Sequence, residues 1–420
     1  MLPTDTGRTI SAGLRGHDNA LGLIRLVLAL AVLVSHTWPL GGFGHDPGGT
    51  ITRGQTTLGG LSVAGFFAIS GYLITKSGMS ADVVQFLWRR VLRIFPAFLL
   101  VLLLTSLVLG PVIWTLDGHP PIAYFGRSGA SPWHYIASNW TLAVHSFGVR
   151  DVFQFSTPYG RETGASVLNG STWTLEYEWA CYIMVAILLV VGVLRRARSV
   201  ILVVAGAILA AQIIDLITPG ALGGMTNSLF LTLAAPFAVG AVFAVYSRVI
   251  PLTAGWGLTA GVVLIGTLLL GGYAVIGVPA GVYFILWLGS AIPGRLRRVG
   301  QTNDISYGVY LFAFPVQQTL AYAGLYRLGV APMILVAAAI VLGLSWLSWR
   351  FIERPAMSLK GWGPGRGLAF WVQRFRRSTP APDAADAAAD GTAPPAPAPG
   401  AAEISRPLRT AAGEPASPPA

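Results

Sequence analysis

Charged residues and cysteine are the two things that this sequence has little of. Only 11% of its 420 residues are charged, and Cys181 is its single cysteine. Soluble domains carry about 25% charged residues, so the deficit argues against an ordinary soluble protein and favours lipid as the solvent. A single cysteine excludes an intramolecular disulfide and a cysteine-rich metal site.

Several catalytic motifs are also absent. The chain has no Walker loop, no His-Glu-x-x-His zinc motif, no dinucleotide fingerprint, no Gly-x-Ser-x-Gly nucleophile elbow and no His-x4-Asp pair. These absences exclude the common nucleotide-dependent, zinc-dependent and serine-hydrolase chemistries. We therefore expect no bound cofactor and no metal.

Apolar runs near the roughly 20 residues that cross a bilayer recur along the chain. They predict an all-α integral membrane protein with about ten transmembrane helices. The predicted spans lie near residues 20–38, 57–75, 94–114, 172–193, 199–217, 227–246, 255–271, 273–290, 304–324 and 331–350. Only Gly271 and Gly272 separate the seventh from the eighth, so the count is weakest there.

The net charge of +11 lies mainly in short arginine clusters between the apolar runs. Such clusters are typical of cytoplasmic loops, and they disfavour nucleic-acid binding. Their alternation predicts that both termini are cytoplasmic, in a multi-pass protein of the bacterial inner membrane. Membrane lipids are therefore expected partners.

Three regions follow from these patterns. Residues 1–17 form a cytoplasmic N-terminal segment, 18–357 the membrane domain, and 358–420 a cytoplasmic tail that is rich in Ala and Pro and disordered from about residue 378. One long extracytoplasmic loop, near residues 115–171, is rich in aromatic residues. Those aromatic residues fit an interfacial belt or a sugar-stacking surface, and the sequence leaves both open.

Arg25 and His36 are ionisable residues within the first span, where charge is costly and calls for a reason. They are 11 residues apart, which puts them on one helix face with roughly 16 Å between them along the axis. Arg25 then lies near the cytoplasmic end and His36 near the outer end. A snorkelling arginine and an interfacial histidine are the alternatives, although histidine is well suited to take a proton from a hydroxyl.

Further charged residues flank the other spans. Arg89, Arg90 and Arg93 lie at the cytoplasmic mouth of the third span, where they fit either a phosphate-bearing donor or simple anchoring. Glu176 and Glu178 open the fourth span, and we expect one of them to face the site, where it can orient and charge-stabilise His36 or pair with an arginine. Asp215 and Asp304 are interpreted as helix-end residues.

Six ordered motifs resemble the acyltransferase-3 family of integral-membrane O-acyltransferases, over roughly residues 18–357. They are Arg25-x10-His36, the segment Phe66 to Ile74, Arg90-x-x-Arg93-Ile94-Phe95-Pro96, Trp173-Thr174-Leu175 with Glu178 and Tyr182, Ile305 to Leu311, and Glu353-Arg354-Pro355. The sequence departs from the family pattern at Gly22, where aspartate is frequent, and at Ala313, where a second histidine is common.

The resemblance implies an O-acyltransferase that transfers an acyl group, expected to be acetyl, from cytoplasmic acyl-CoA to a hydroxyl of a cell-envelope or secreted glycan or glycolipid. It implies three sets of residues. They are catalytic His36, Glu178 and Arg25; donor-binding Arg89, Arg90 and Arg93; and acceptor-binding Trp173, Tyr182 and Tyr307.

Some choices stay open at this point. Acyl transfer by His36 as a base and transfer through an acyl-histidine both fit the sequence. A carrier or flippase for a lipid-linked glycan or carboxylate, with Arg25 and His36 as binding and proton-coupling residues, is the alternative function. The oligomeric state is also open.

Overall fold

The computed structural model describes residues 8–16, 18–127, 129–221 and 228–361, together with Gln373. The described residues between 8 and 361 belong to one compact unit. The tail predicted to be disordered from about residue 378 lies outside the described residues, as do the first seven residues of the N-terminal segment.

Ten long helices make up most of the described chain, and each predicted span overlaps one of them. They are α1 Leu21–Leu40, α2 Leu58–Gly78, α3 Val83–Leu116, α4 Thr174–Val190, α5 Arg198–Ile217, α6 Ser228–Val245, α7 Ala254–Leu270, α8 Tyr273–Ala291, α9 Ser306–Tyr322 and α10 Val330–Gly361. Among the described residues seven of them (all except α4, α7 and α9) are long and apolar enough to cross a membrane. Strands are absent from the same residues, apart from one isolated bridge between Thr9 and Pro251. The prediction of an all-α membrane protein is confirmed.

Local sequence explains where several of these helices begin. The Thr57 hydroxyl accepts from the Gly60 amide at the start of α2, and the Asp82 carboxylate accepts from the Val84 amide at the start of α3. Both side chains satisfy backbone donors that have no partner within the helix. Thr253 caps α7 in the same way.

Helix α3 is interrupted by a π-helical turn, Thr105–Leu109, before it continues to Leu116. The hydroxyl of Tyr124, in the loop that follows, donates to the carbonyl of Ser106 at 2.6 Å. The π turn disturbs the regular backbone ladder and so leaves a carbonyl to be satisfied from outside the helix. This bond ties the long loop to the membrane domain.

Small residues bring α2 and α6 into close contact. A Cβ at Gly71 would lie 2.0 Å from the carbonyl oxygen of Phe237, and one at Gly240 would lie 2.3 Å from that of Ala68. Lipid does not drive helices together, so close backbone packing through small residues is a main source of helix association in membranes. Gly71 and Gly240 therefore form a close-packing site between α2 and α6.

The long loop contains short helices at Pro121–Tyr124, Pro132–Asn139 and Pro158–Thr163. Its aromatic residues differ in exposure. Tyr124, Tyr135 and Phe153 are buried in the main core, whereas Trp133, Trp140 and Phe155 are exposed. The buried residues anchor the loop, and the exposed ones are available to a lipid interface or to a sugar.

The end of this loop enters the bundle and sets the start of α4. The Asn169 side-chain amide donates to the Leu311 carbonyl at 3.0 Å, and the Tyr310 hydroxyl donates to the Ser171 carbonyl at 2.6 Å. Because Tyr310 lies only one turn from the first residue of α9, the chain around Ser171 is held deep within the bundle. Helix α4 therefore begins inside it rather than at its surface.

Candidate active site

Two polar cavities lie inside the helical bundle. The first, called the inner cavity, has a volume of about 100 Å³ and is bounded by α1, α2, α3, α4 and α9; the charged residues of its wall are Arg25, Arg90, Arg93 and Glu178. The second, called the outer cavity, has a volume of about 760 Å³ and contains His36. Arg25 and His36 thus belong to one helix but to different cavities, as their separation along that helix leads one to expect.

An ionic cluster forms one side of the inner cavity. One carboxylate oxygen of Asp304 accepts from Arg25 Nη1 and from Arg93 Nη2, both at 2.6 Å. Arg93 also contacts the buried carboxylate of Glu353 at 3.4 Å. The cluster joins α1, α3, the start of α9 and α10, and buried charges of opposite sign require such pairing.

Asp304 performs two tasks with its two oxygens. Its second oxygen accepts from the Ser306 hydroxyl at 2.6 Å and from the Ser306 amide at 3.3 Å, which caps α9. The expected helix-end role is present, and the ion pairs with Arg25 and Arg93 add a second role that the sequence pattern did not show.

Of the three arginines predicted to bind the donor, Arg90 is the one that lines the inner cavity and has no ion pair among the described residues. Arg93 is occupied by Asp304 and Glu353, and Arg89 is not part of the cavity wall. Arg90 lies on the wall with its guanidinium near the rings of Phe86 and Tyr182, at 5.9 and 6.0 Å from the centroids. Its Nε is buried, and no described residue forms a hydrogen bond with it. Arg90 is therefore the cation of this wall with most capacity for an incoming anion.

Glu178 belongs to the inner cavity as well. It accepts hydrogen bonds from the Ser70 hydroxyl at 3.0 Å and from the Tyr182 hydroxyl. The expected contact between Glu178 and His36 is not formed, because α4 begins deep in the bundle and places Glu178 beside α2 and α3. Glu176, the other candidate, is exposed.

His36 lies on the wall of the outer cavity, one turn before α1 ends at Leu40. Its ring packs edge-on against Phe314, with 5.6 Å between ring centroids. Its Nδ1 atom is buried, and no described side chain or backbone group forms a hydrogen bond with it. This nitrogen can therefore form a hydrogen bond with a polar substrate in the outer cavity.

One carboxylate lines the same cavity as His36, that of Asp46 in the loop after α1. Its oxygens accept from the Ser35 hydroxyl and from the amides of Gly48 and Leu58, at 2.7 and 3.0 Å for the two amides. The carboxylate that shares a cavity with the imidazole is therefore Asp46 and not Glu178.

The two cavities share three wall residues, Val63, Thr174 and Tyr310. The hydroxyls of Thr174 and Tyr310 are hydrogen-bonded to each other, and the Tyr310 ring packs edge-on against Phe66 with 6.1 Å between centroids. These residues form a junction through which the inner and outer cavities adjoin.

The predicted acceptor residues fall on both sides of the junction. Trp173 lines the outer cavity, whereas Tyr182 and Tyr307 line the inner one. Tyr307 donates to the Ile94 carbonyl at 2.9 Å and lies under the Arg93 guanidinium. The structure therefore groups Tyr182 and Tyr307 with the predicted donor residues Arg90 and Arg93, and it places Trp173 in the cavity of His36.

Three residues of the cavities and of the ionic cluster were not predicted as site residues. Ser70 of the inner cavity and Glu353 of the ionic cluster lie within motifs that the sequence analysis recognised, and those motifs could have indicated them. Asp46 of the outer cavity lies in a short loop outside all the motifs. Among the described residues, no three His, Cys, Asp or Glu side chains come together as a metal site requires.

The two departures from the family pattern have visible surroundings. A Cβ at Gly22 would lie 2.7 Å from the Val299 carbonyl oxygen and 3.0 Å from the backbone of Gly300, so the loop before α9 occupies the space of a side chain. Ala313 is completely buried in the main core. Position 313 therefore contributes to packing, and Phe314 rather than a histidine contacts His36.

Comparison with known proteins supports the resemblance. A family model described as "Acyltransferase domain", that of the acyltransferase-3 family, matches residues 18–350. The chain is 29% identical over 361 residues to "O-acetyl transferase" of Shigella phage Sf6, an alignment that covers 80% of this chain and 95% of that protein. It is 27% identical over 369 residues to "Nodulation protein 10" of Rhizobium leguminosarum bv. viciae, covering 82% and 95%.

A shorter match, 28% identical over 161 residues, links it to "Acyltransferase MdmB" of Streptomyces mycarofaciens, covering 38% of this chain and 36% of that protein. No solved structure matches the chain. The apolar helices and these matches define a multi-pass membrane enzyme that transfers acyl groups. More narrowly, the chain belongs to the acyltransferase-3 family and is an O-acyltransferase.

Proposed function

We propose that this enzyme transfers an acyl group, most simply acetyl, from cytoplasmic acyl-CoA to a hydroxyl of an extracytoplasmic glycan or glycolipid. The single observation that carries the proposal is the pair of polar cavities adjoining at Val63, Thr174 and Tyr310. The name "O-acetyl transferase" of the phage relative supports acetyl as the group. Membership of an acyltransferase family disfavours the carrier alternative.

The proposed topology has ten spans, α1 to α10, with both ends of the membrane domain in the cytoplasm of a bacterial cell. Arg89, Arg90, Arg295 and Arg298 then lie at or near the inner face, as the positive-inside rule requires. The inner cavity faces the compartment that holds acyl-CoA, and the outer cavity faces the glycan. The bilayer separates the two substrates, and the protein joins them.

On the donor side, the phosphates of acyl-CoA remain near the inner mouth, where Arg90 has no carboxylate partner. The thin pantetheine arm extends through the inner cavity toward the junction. Guanidinium forks suit phosphate oxygens, whereas the paired Arg25 and Arg93 mainly hold the cavity wall in place.

On the acceptor side, a sugar hydroxyl enters the outer cavity beside His36 and Trp173. The imidazole removes the hydroxyl proton while the oxygen attacks the thioester carbonyl. The carbon–oxygen bond forms, the carbon–sulfur bond breaks, and the thiolate of coenzyme A leaves with the proton that His36 returns. Asp46 stabilises the imidazolium during the step.

The experiment replaces His36 with Ala in the reconstituted enzyme supplied with labelled acetyl-CoA and an acceptor glycan. We expect transfer to fall by about 10²–10⁴-fold, the usual contribution of a general base, while acetyl-CoA binding persists. His45 also lines the outer cavity, so His45→Ala is the matched control, and it should retain transfer. If the His36 variant retained transfer activity, or if only His45→Ala lost it, the assignment of His36 as the general base would be wrong.

The same preparation distinguishes the two chemical routes. In the absence of acceptor, an acyl-histidine route leaves label on the protein that hydroxylamine removes, whereas direct transfer leaves none. His36→Ala abolishes any such label if this residue carries the acyl group.

A further inference from the structure

A third cavity, with several cations in its wall, lies at the end of the bundle that the proposed topology assigns to the inner face, away from both substrate cavities. Its wall includes Arg15, Lys76, Arg198 and Arg248, and no acidic residue is among the described residues that line it. It shares no lining residue with the inner cavity. Here it is called the basic pocket.

Packed side chains separate the basic pocket from the inner cavity. At the end of α2, a Cβ on Gly78 would contact Val185, Leu194 and Phe86, at 3.2, 3.4 and 3.8 Å. Phe86 and Val185 are buried in the main core, and the Phe86 ring also packs against the guanidinium of Arg90 in the inner cavity, 5.9 Å from the ring centroid. A ligand in the basic pocket is therefore not in the path proposed for the thioester.

Backbone hydrogen bonds hold the walls of the pocket in place. The Ser11 amide donates to the Ser247 carbonyl at 2.8 Å, and the Ile10 amide donates to the Ile250 carbonyl at 3.1 Å. Lys76 is half-buried and donates to the Leu14 carbonyl at 3.3 Å. These bonds fasten the N-terminal segment to α2 and to the end of α6, so the four cations belong to one built pocket.

The cations lack partners of opposite sign. Within the described part of the chain Arg15, Arg198 and Arg248 form no ion pair, and all three are exposed at the rim. By contrast, Arg25 and Arg93 are neutralised by carboxylates. A pocket with four cations and no described acid attracts an anion with more than one negative oxygen.

The neighbouring surface favours a lipid over a soluble anion. Helix α5, which begins at Arg198, is the least buried of the membrane helices identified by length and hydropathy, and Leu202, Val203 and Val249 near the rim are exposed apolar side chains. A headgroup held in the pocket would place its acyl chains along these residues. Basic pockets between helices on the cytoplasmic side are known sites for anionic headgroups.

We propose that the basic pocket binds the phosphate of an anionic phospholipid of the inner leaflet, as a lipid site separate from the acyl-transfer machinery. The bound lipid joins the N-terminal segment, α2, α5 and α6 by compensating their charge. This proposal is independent of which acyl group and acceptor the enzyme uses.

Native mass spectrometry of the full-length protein in detergent tests it, with phosphatidylglycerol or phosphatidylcholine added. The test variant is Arg198→Gln with Arg248→Gln, and the control is Arg295→Gln with Arg298→Gln, two exposed arginines outside the pocket. Wild type and control should retain phosphatidylglycerol in preference to phosphatidylcholine, and the test variant should bind it about 30-fold more weakly, from about 1 kcal/mol per cation.

Two results would overturn the proposal. One is equal retention of phosphatidylglycerol by the test and control variants. The other is its displacement by excess coenzyme A, which would make the pocket a site for a soluble phosphate compound. If the double variant aggregates, Arg248→Gln alone should still weaken binding about fivefold, and unchanged binding would count against the site.

Discussion

The ionic cluster around Asp304 gives the sharpest prediction about what holds the inner cavity together. Asp304→Asn keeps the size of the side chain and its cap on Ser306, but it removes the charge that Arg25 and Arg93 share. Both guanidiniums contact the same Asp304 oxygen at 2.6 Å. The exposed fraction of the side chain is only 24% for Arg25, 15% for Arg93 and 17% for Asp304. Two like charges would then face each other across a largely buried space.

Breaking a buried ion pair by removing one partner costs about 3–5 kcal/mol. The partial exposure, the remaining amide hydrogen bond and the second partner of Arg93, Glu353 at 3.4 Å, reduce this to about 2–4 kcal/mol for Asp304→Asn. For a membrane domain of this length, that loss corresponds to a fall of about 3–6 °C in the melting midpoint. Neutralising Arg25 as well, in the double variant Arg25→Gln/Asp304→Asn, should restore part of the loss, because one uncompensated charge disappears.

The assay follows the monodisperse fraction of detergent-solubilised protein by size exclusion after heating. Asp18→Asn is the matched control, because Asp18 contacts Arg297 at 3.4 Å but is 77% exposed. Exposed pairs contribute at most about 1 kcal/mol, so this variant should melt within about 2 °C of the wild type. Equal melting of the Asp304 and Asp18 variants would refute the reasoning, since it would mean that the cluster is hydrated.

Three further predictions concern the cavities and the first helix. In steady-state kinetics, Arg90→Gln should raise the KM for acetyl-CoA about tenfold or more. Arg89→Gln should change this KM little, because Arg89 is not part of the cavity wall, and equal effects of the two variants would contradict the assignment of Arg90 to donor binding. Val63→Phe should lower kcat with little change in acetyl-CoA binding, because a larger side chain narrows the junction; an unchanged kcat would argue against passage there. Gly22→Ala should destabilise the protein by about 1–3 kcal/mol, because its Cβ would overlap the Val299 carbonyl, whereas Gly343→Ala, with open space around it, should be neutral or slightly stabilising in the same melting assay.

Hydrophobic pattern was sufficient to predict the helices, because each apolar run has to satisfy its own backbone inside a membrane. Their bounds shifted by a few residues where caps such as Thr57 and Asp82 set the first turn. The separation of Arg25 and His36 along the helix axis could also be predicted from the sequence, because both lie on one helix with a fixed rise per residue.

Contacts between helices could not be predicted from the sequence in the same way. The pattern placed Glu178 near the outer interface beside His36, because it assumed that α4 begins at the membrane surface. The Asn169 and Tyr310 hydrogen bonds carry the preceding loop into the bundle, and the carboxylate meets Ser70 instead. A single sequence gives the face of a helix but not the partner of that face.

Asp304 shows the same difference between local interactions and contacts between helices. Its place before α9 predicted a cap, which is a local interaction and is present. Its pairing with Arg25, 279 residues away in the chain, depends on the meeting of three helices. Likewise, Asp46 lies in a loop where the sequence shows no motif, and only the fold brings it into the cavity of His36.

The central claim is that the donor and the acceptor react across the membrane through adjoining cavities. Sealed proteoliposomes with the enzyme in a single orientation test it directly, with labelled acetyl-CoA and acceptor glycan supplied on the same face or on opposite faces. The account predicts acylated glycan only when acetyl-CoA is on the face of Arg90 and the glycan is on the face of His36. Product formed with both substrates confined to one face would contradict it.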